Sequence, residues 1–112
     1  MNVSFHLQHD QQTDTVSIRP AVYADRTERV DYKIKAGKQG AAGTSNEINR
    51  GHLDLRRGET IVIGPKLSFG SFAPEDKLKL ELLLCRLGSR CKHDEDVIAR
   101  FTTSYPDENS AD

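Results

Sequence analysis

Alternation is the dominant pattern in this chain. In KLKLELLLCR, Leu78, Leu80, Leu82 and Leu84 take every second position, with Lys77, Lys79 and Glu81 between them. A period of two buries one face of a β-strand and wets the other, whereas a helix would spread the four leucines around its circumference. Leu83 and Cys85 interrupt the polar set, which predicts that the far face is also covered at that end. Upstream, Val3, Phe5 and Leu7 alternate with Ser4, His6 and Gln8, and Val16 and Ile18 alternate with Ser17 and Arg19. Pro20 in this second run predicts an edge strand or a bulge, because proline cannot donate to a ladder. In a third run Val30, Tyr32, Ile34 and Ala36 alternate with Arg29, Asp31, Lys33 and Lys35.

The remaining runs are shorter. The four glycines and small polar residues between Gly37 and Gly51 predict a long flexible connection. Leu53 and Leu55 form a short strand that stops at Arg56-Arg57-Gly58. Ile61 and Ile63 share a face of the segment Thr60 to Gly64, which Pro65 closes. Leu67, Phe69 and Phe72 mark an irregular segment around Gly70. After the leucine strand, Gly88-Ser89 supplies a turn, and an extended run from Lys92 to Thr103 returns with Val97, Ala99 and Phe101 on the core face. Helical periodicity is absent at useful length. Seven short strands at a spacing of about ten residues, with turn signals between them, predict an all-β fold, an antiparallel immunoglobulin-like β-sandwich. A closed barrel is the alternative. The folded domain is expected over residues 1–103, with a flexible acidic tail over 104–112.

Composition narrows the picture. A chain of 112 residues, 36% hydrophobic and 29% charged, holds one core and no second domain. No apolar run approaches the roughly 20 residues of a membrane-spanning helix. The start, MNVSFHLQHD, has neither the basic nor the apolar region of a signal peptide, which fits a cytoplasmic protein or a mature form carrying an initiator Met1. Net charge is −1, yet removing the tail acids Asp107, Glu108 and Asp112 from the 17 leaves 14 against 16 basic residues. That excess is too small for a nucleic-acid binder, which displays a marked basic stripe with aromatics interleaved.

Candidate chemistry is sparse. If Leu87-Gly88-Ser89 is the hairpin loop, Cys85 faces Cys91 at a separation suited to a disulfide, which would imply an oxidising compartment. Two buried thiols are the alternative, and the spacing matches no redox motif. His6 and His9 are three apart, so they point to opposite faces of a strand, and with His52 and His93 they read as surface histidines, not metal ligands. Asp94, Glu95 and Asp96 cannot all face one ion from a strand and read as a solvated turn or bulge. No phosphate-binding loop, nucleophile elbow or cofactor motif occurs, so no enzyme is expected. Arg29, Lys33 and Lys35 share one face of the third run, with Lys38 just beyond. This basic row is either a binding surface or an ordinary solvated face whose lysines deter edge aggregation.

Laid out in this order, the chain resembles the curli assembly chaperones of the CsgC/CsgH family. The residues that carry the resemblance are VSFHLQHDQQTDTVSIRPAV, VDYKIKAGKQGAAGTSNEINRGHLDL, RRGETIVIG and PEDKLKLELLL, covering most of Val3 to Phe101. The resemblance implies a monomeric immunoglobulin-like sandwich in the periplasm, made with a cleaved signal peptide. Without ATP, it would keep unfolded curli major subunit, with the minor subunit as a further candidate client, from forming amyloid. One branch of the family carries a C-x-C pair where this chain has Arg26-Thr27-Glu28-Arg29, so no redox role transfers from that pair. On this reading Arg29, Lys33, Lys35 and Lys38 meet the client through transient electrostatic contacts, or a sheet edge caps a growing β template. The competing function is a structural or adhesive module of a surface fibre, and a thiol–disulfide oxidoreductase is a more distant one.

Overall fold

A computed structural model describes residues 1–41 and 43–106. The architecture is all-β: β1 (Asn2–Asp10), β2 (Thr15–Tyr23), β3 (Glu28–Gly40), β4 (Gly43–Leu55), β5 (Thr60–Val62), β6 (Leu67–Phe69), β7 (Lys77–Arg86) and β8 (Val97–Tyr105), with one 3₁₀ turn at Asp94–Asp96. The smaller sheet has the order β1-β2-β5, with β6 also on β2, and the larger sheet has the order β4-β3-β7-β8. All pairings are antiparallel. Because β5 and β6 pair with successive parts of the same side of β2, they are two pieces of one interrupted strand. The result is seven strand positions in an immunoglobulin-like sandwich.

Inward residues of both sheets fill the space between them. Val16, Ile18 and Val22 from β2 meet Val30, Tyr32, Ile34 and Ala36 from β3 and Leu78, Leu80, Leu82 and Leu84 from β7. All four leucines are essentially without solvent contact, and each such burial contributes about 1.5–3 kcal/mol. The period of two along β3 and β7 therefore reports real core faces. The far face of β7 is also covered near its end, as Leu83 and Cys85 indicate: they form a second small cluster with Cys91, against which Val97 packs.

Several expectations are corrected. The glycine-rich stretch after Gly37 is no loop: β3 runs on to Gly40, and β4 returns from Gly43, paired residue by residue with β3 down to Glu28↔Leu55. Residues 43–48 of β4 are exposed on both faces, so no apolar alternation marks them as a strand. Leu53 and Leu55 are the buried end of this 13-residue strand. The segment around Gly70 includes a short strand, β6. Pro20 sits in the centre of its sheet, not at an edge. It lies opposite Phe5 on β1, and its other side faces the gap between β5 and β6, where its carbonyl accepts the Ile63 N–H at 2.9 Å. A strand residue points both backbone groups the same way, so the missing donor falls in the gap and no ladder bond is lost. The return strand begins only at Val97, after a ten-residue connection, and a register shift between Leu84 and Cys85 marks a bulge. Its end, Tyr105, places Ser104 and Tyr105 in the strand, while tail residues 107–112 lie outside the described part.

Candidate functional site

The sequence directs attention to the outer face of the larger sheet, and strand register shows what stands there. Across the sheet, Lys33 lies opposite Arg50 on β4 and Leu83 on β7, and Leu83 lies opposite Arg100 on β8. The neighbouring row is Ile48, Lys35, Glu81 and Thr102. Adjacent strands are roughly 4.8 Å apart, so Lys33, Lys35 and Arg50 form one compact cationic group. Lys33 is half-buried. Burial, followed by the like charges of Lys35 and Arg50, pushes its ammonium pKa below the ordinary lysine value, against smaller opposing effects of Glu81 and Asp94. Among the described residues none of these three cations makes an ion pair, and Glu81, opposite Lys35, lies 3.8 Å from Arg100 instead. A carboxylate or amide oxygen arriving from outside would relieve their mutual repulsion.

Two of the four expected residues belong to this group and two do not. Lys33 and Lys35 stand together at its centre. Arg29 shares their face but is held at the far end by Asp54, at 2.9 Å. Lys38 lies on the opposite face of β3, because it is three positions, an odd number, from Lys35 and the strand does not end at Gly37. Its side chain is only 15% exposed and 4.0 Å from Asp76, and its Nζ donates to the carbonyls of Gly70 and Ser71 at 2.9 and 3.4 Å. Lys38 fastens the β6–β7 connection to β3 and is no part of an outward row. Asp76 is buried and also accepts the Ala73 N–H at 2.8 Å. A Cβ on Gly40 would collide with its carboxylate, which explains a glycine where β3 passes it. Sequence alone misses Arg50 and Arg100. Arg50 was concealed by the apparent loop, and Arg100 needs the pairing of β8 to be placed opposite Leu83.

Beside this face the structure forms the Cys85–Cys91 disulfide, with a Cα–Cα distance of 5.4 Å. The bridge does not join opposed strand residues, since Val97, not Cys91, pairs with Cys85. It instead pins the β7–β8 connection over the outer face. Asp31 assists by accepting the Arg90 N–H at 2.7 Å, and Asp96 accepts from the Arg86 guanidinium, whose pKa it raises by hydrogen bond and charge. Asp96 is buried, so the acidic triplet is only partly solvated. Both cysteines are buried, at 0% and 5% exposure, which denies an incoming thiolate the access that exchange requires. Of the histidines, His9 is not a surface residue. Its Nδ1 shares a hydrogen bond of 2.9 Å with the Tyr105 hydroxyl, its Nε2 is buried, and its ring meets Phe72 and Tyr105 edge-on.

Fold and face together define an immunoglobulin-like β-sandwich with a cationic sheet surface and a buried bridge at one end. No protein-family model and no curated protein sequence matches the chain. Solved structures do. The E. coli curli protein CsgC matches with a TM-score of 0.68 at 19% identity, over 94% of this chain and 97% of that one. The solution structure of R. palustris CsgH matches with a TM-score of 0.57 at 17% identity, over 92% and 90%. The chain therefore has a CsgC/CsgH-like fold over nearly its whole length.

Proposed function

We propose that this protein is a periplasmic chaperone that delays amyloid formation by unfolded curli major subunit, acting as a monomer through transient contacts and without ATP. The observation that carries this reading is the cluster Lys33, Lys35 and Arg50, without an ion pair among the described residues, on the outer face of a sandwich of this fold. Contacts between exposed charges contribute little each, typically about 0.2–1 kcal/mol, which suits a partner that must be released. The fold and the buried disulfide support an extracytoplasmic setting.

The test is a thioflavin time course of curli subunit fibrillation at a low ratio of chaperone to client. The double variant Lys33→Glu, Lys35→Glu, with the circular dichroism of the parent, is expected to lose most of the delay. Full retention of the delay would exclude this face as the site of contact.

A further inference from the structure

The larger sheet ends in the edge strand β4, whose outer side pairs with no other strand among the described residues. Gly40 pairs with Gly43 across a two-residue connection, and such a hairpin closes on a hydrogen-bonded pair. Bonded and non-bonded pairs then alternate along the ladder. Lys38↔Ser45, Ala36↔Glu47 and Ile34↔Asn49 exchange hydrogen bonds, whereas Gly37↔Asn46, Lys35↔Ile48 and Lys33↔Arg50 do not. The N–H and C=O groups of Asn46, Ile48 and Arg50 therefore point away from β3, into solvent. The same three residues carry their side chains on the outer face, beside Lys33 and Lys35. Ile48 is 57% exposed, and no ion pair to Arg50 occurs among the described residues. Natural edges are guarded by charged side chains, above all lysine, and by proline or a bulge; on β4 the charges are Glu47, Arg50 and Asp54. Residues Gly43 to Leu55 contain no lysine and no proline, and their register with β3 is unbroken. The other edges differ. The β5/β6 edge is interrupted around Gly64-Pro65, and β1 and β8 are tied together at their ends by His9, Tyr105 and Phe72.

We infer that the edge of β4 at Asn46, Ile48 and Arg50 accepts an extended, unpaired strand of the client, with a carboxylate or carboxamide side chain opposite Arg50 and an aliphatic one opposite Ile48. Backbone pairing supplies adhesion that is indifferent to client sequence, while the cationic group selects acidic or amide-bearing segments. Pairing this way occupies one edge of the client strand and withholds that edge from a second client strand. This inference rests on the chaperone reading and adds the mode of contact to it.

Residue-resolved hydrogen exchange by NMR tests it, with the full chain alone and with excess unfolded curli major subunit during its lag phase. In the free protein the amides of Asn46, Ile48 and Arg50 are expected to exchange fast and those of Ser45, Glu47 and Asn49 to be protected. With client, the first three are expected to slow by at least about tenfold. Asn46→Pro removes an outward donor and no ladder bond, and is expected to weaken the delay about fivefold, the effect of one net hydrogen bond. A wild-type protein that delays fibrillation while these three amides stay unchanged, or while protection appears on β1 or β8 instead, overturns edge docking and leaves the chaperone reading standing. A wild-type protein that produces no delay removes both.

Discussion

Lys33, Lys35 and Lys38 lie within six residues of one another and do different things, because parity along a strand decides which side each one meets. Lys33, half-buried, and Lys35, exposed, stand on the outer face beside Arg50, and no ion pair holds either among the described residues. Lys38 faces inward at the mouth of the sandwich, where two backbone carbonyls and Asp76 hold its ammonium. Lys38→Met should therefore act on stability. Loss of the two hydrogen bonds and of the counter-charge to buried Asp76 is expected to cost about 1–3 kcal/mol, read as a lowered urea midpoint. The fibrillation delay should change little under conditions where both proteins are folded. A variant as stable as the parent but unable to delay fibrillation would return Lys38 to the contact surface. The rule that sends His6 and His9 to opposite faces applies equally to Lys35 and Lys38. Its use depended on knowing that β3 continues beyond Gly37.

Elements were legible in the sequence to the extent that one of their faces is covered. β7 and the first part of β3 announce themselves through Leu78 to Leu84 and Val30 to Ala36, since burial on one side imposes the period of two. The β3–β4 hairpin beyond Ala36 is held by backbone pairing with most side chains in solvent, so glycine, serine and asparagine are tolerated and the pattern reads as a loop. The cysteine pair was legible for the wrong geometric reason. Opposed strand positions seemed to bring Cys85 and Cys91 together, whereas the chain turns through Arg90 and Cys91 with positive φ values of 57° and 55° to do so. The bridge spans six positions, and closing so short a loop in the unfolded chain corresponds to about 2 kcal/mol in the chain-entropy account. Replacing both cysteines by serine is expected to lower the unfolding free energy by about that amount. Amide protection should fall chiefly over residues 86–97 and be kept along β2 and β3. Uniform loss of protection would mean that the bridge supports the whole sandwich and not one connection.

At the scale of the whole molecule, a net charge of −1 hides the property that matters, which is where the charges stand. Attraction at the Lys33–Lys35–Arg50 group weakens with salt, as the Debye length falls from about 10 Å at 0.1 M to about 3 Å at 1 M. Backbone pairing along β4 carries no net charge and lacks that dependence. Core burial, the source of stability, is likewise insensitive to screening at this level. Raising salt, with client alone measured at every concentration, should therefore separate the two modes of contact without unfolding the protein. At low salt both Lys33→Glu with Lys35→Glu and Asn46→Pro are expected to shorten the delay. Near 1 M salt the parent should retain a smaller delay, the charge-reversed protein should match it, and Asn46→Pro should fall below both. A delay that vanishes completely with salt would assign all of the contact to the cationic face. One that salt does not touch would assign it to the edge and leave Lys33 and Lys35 as ordinary solvated residues.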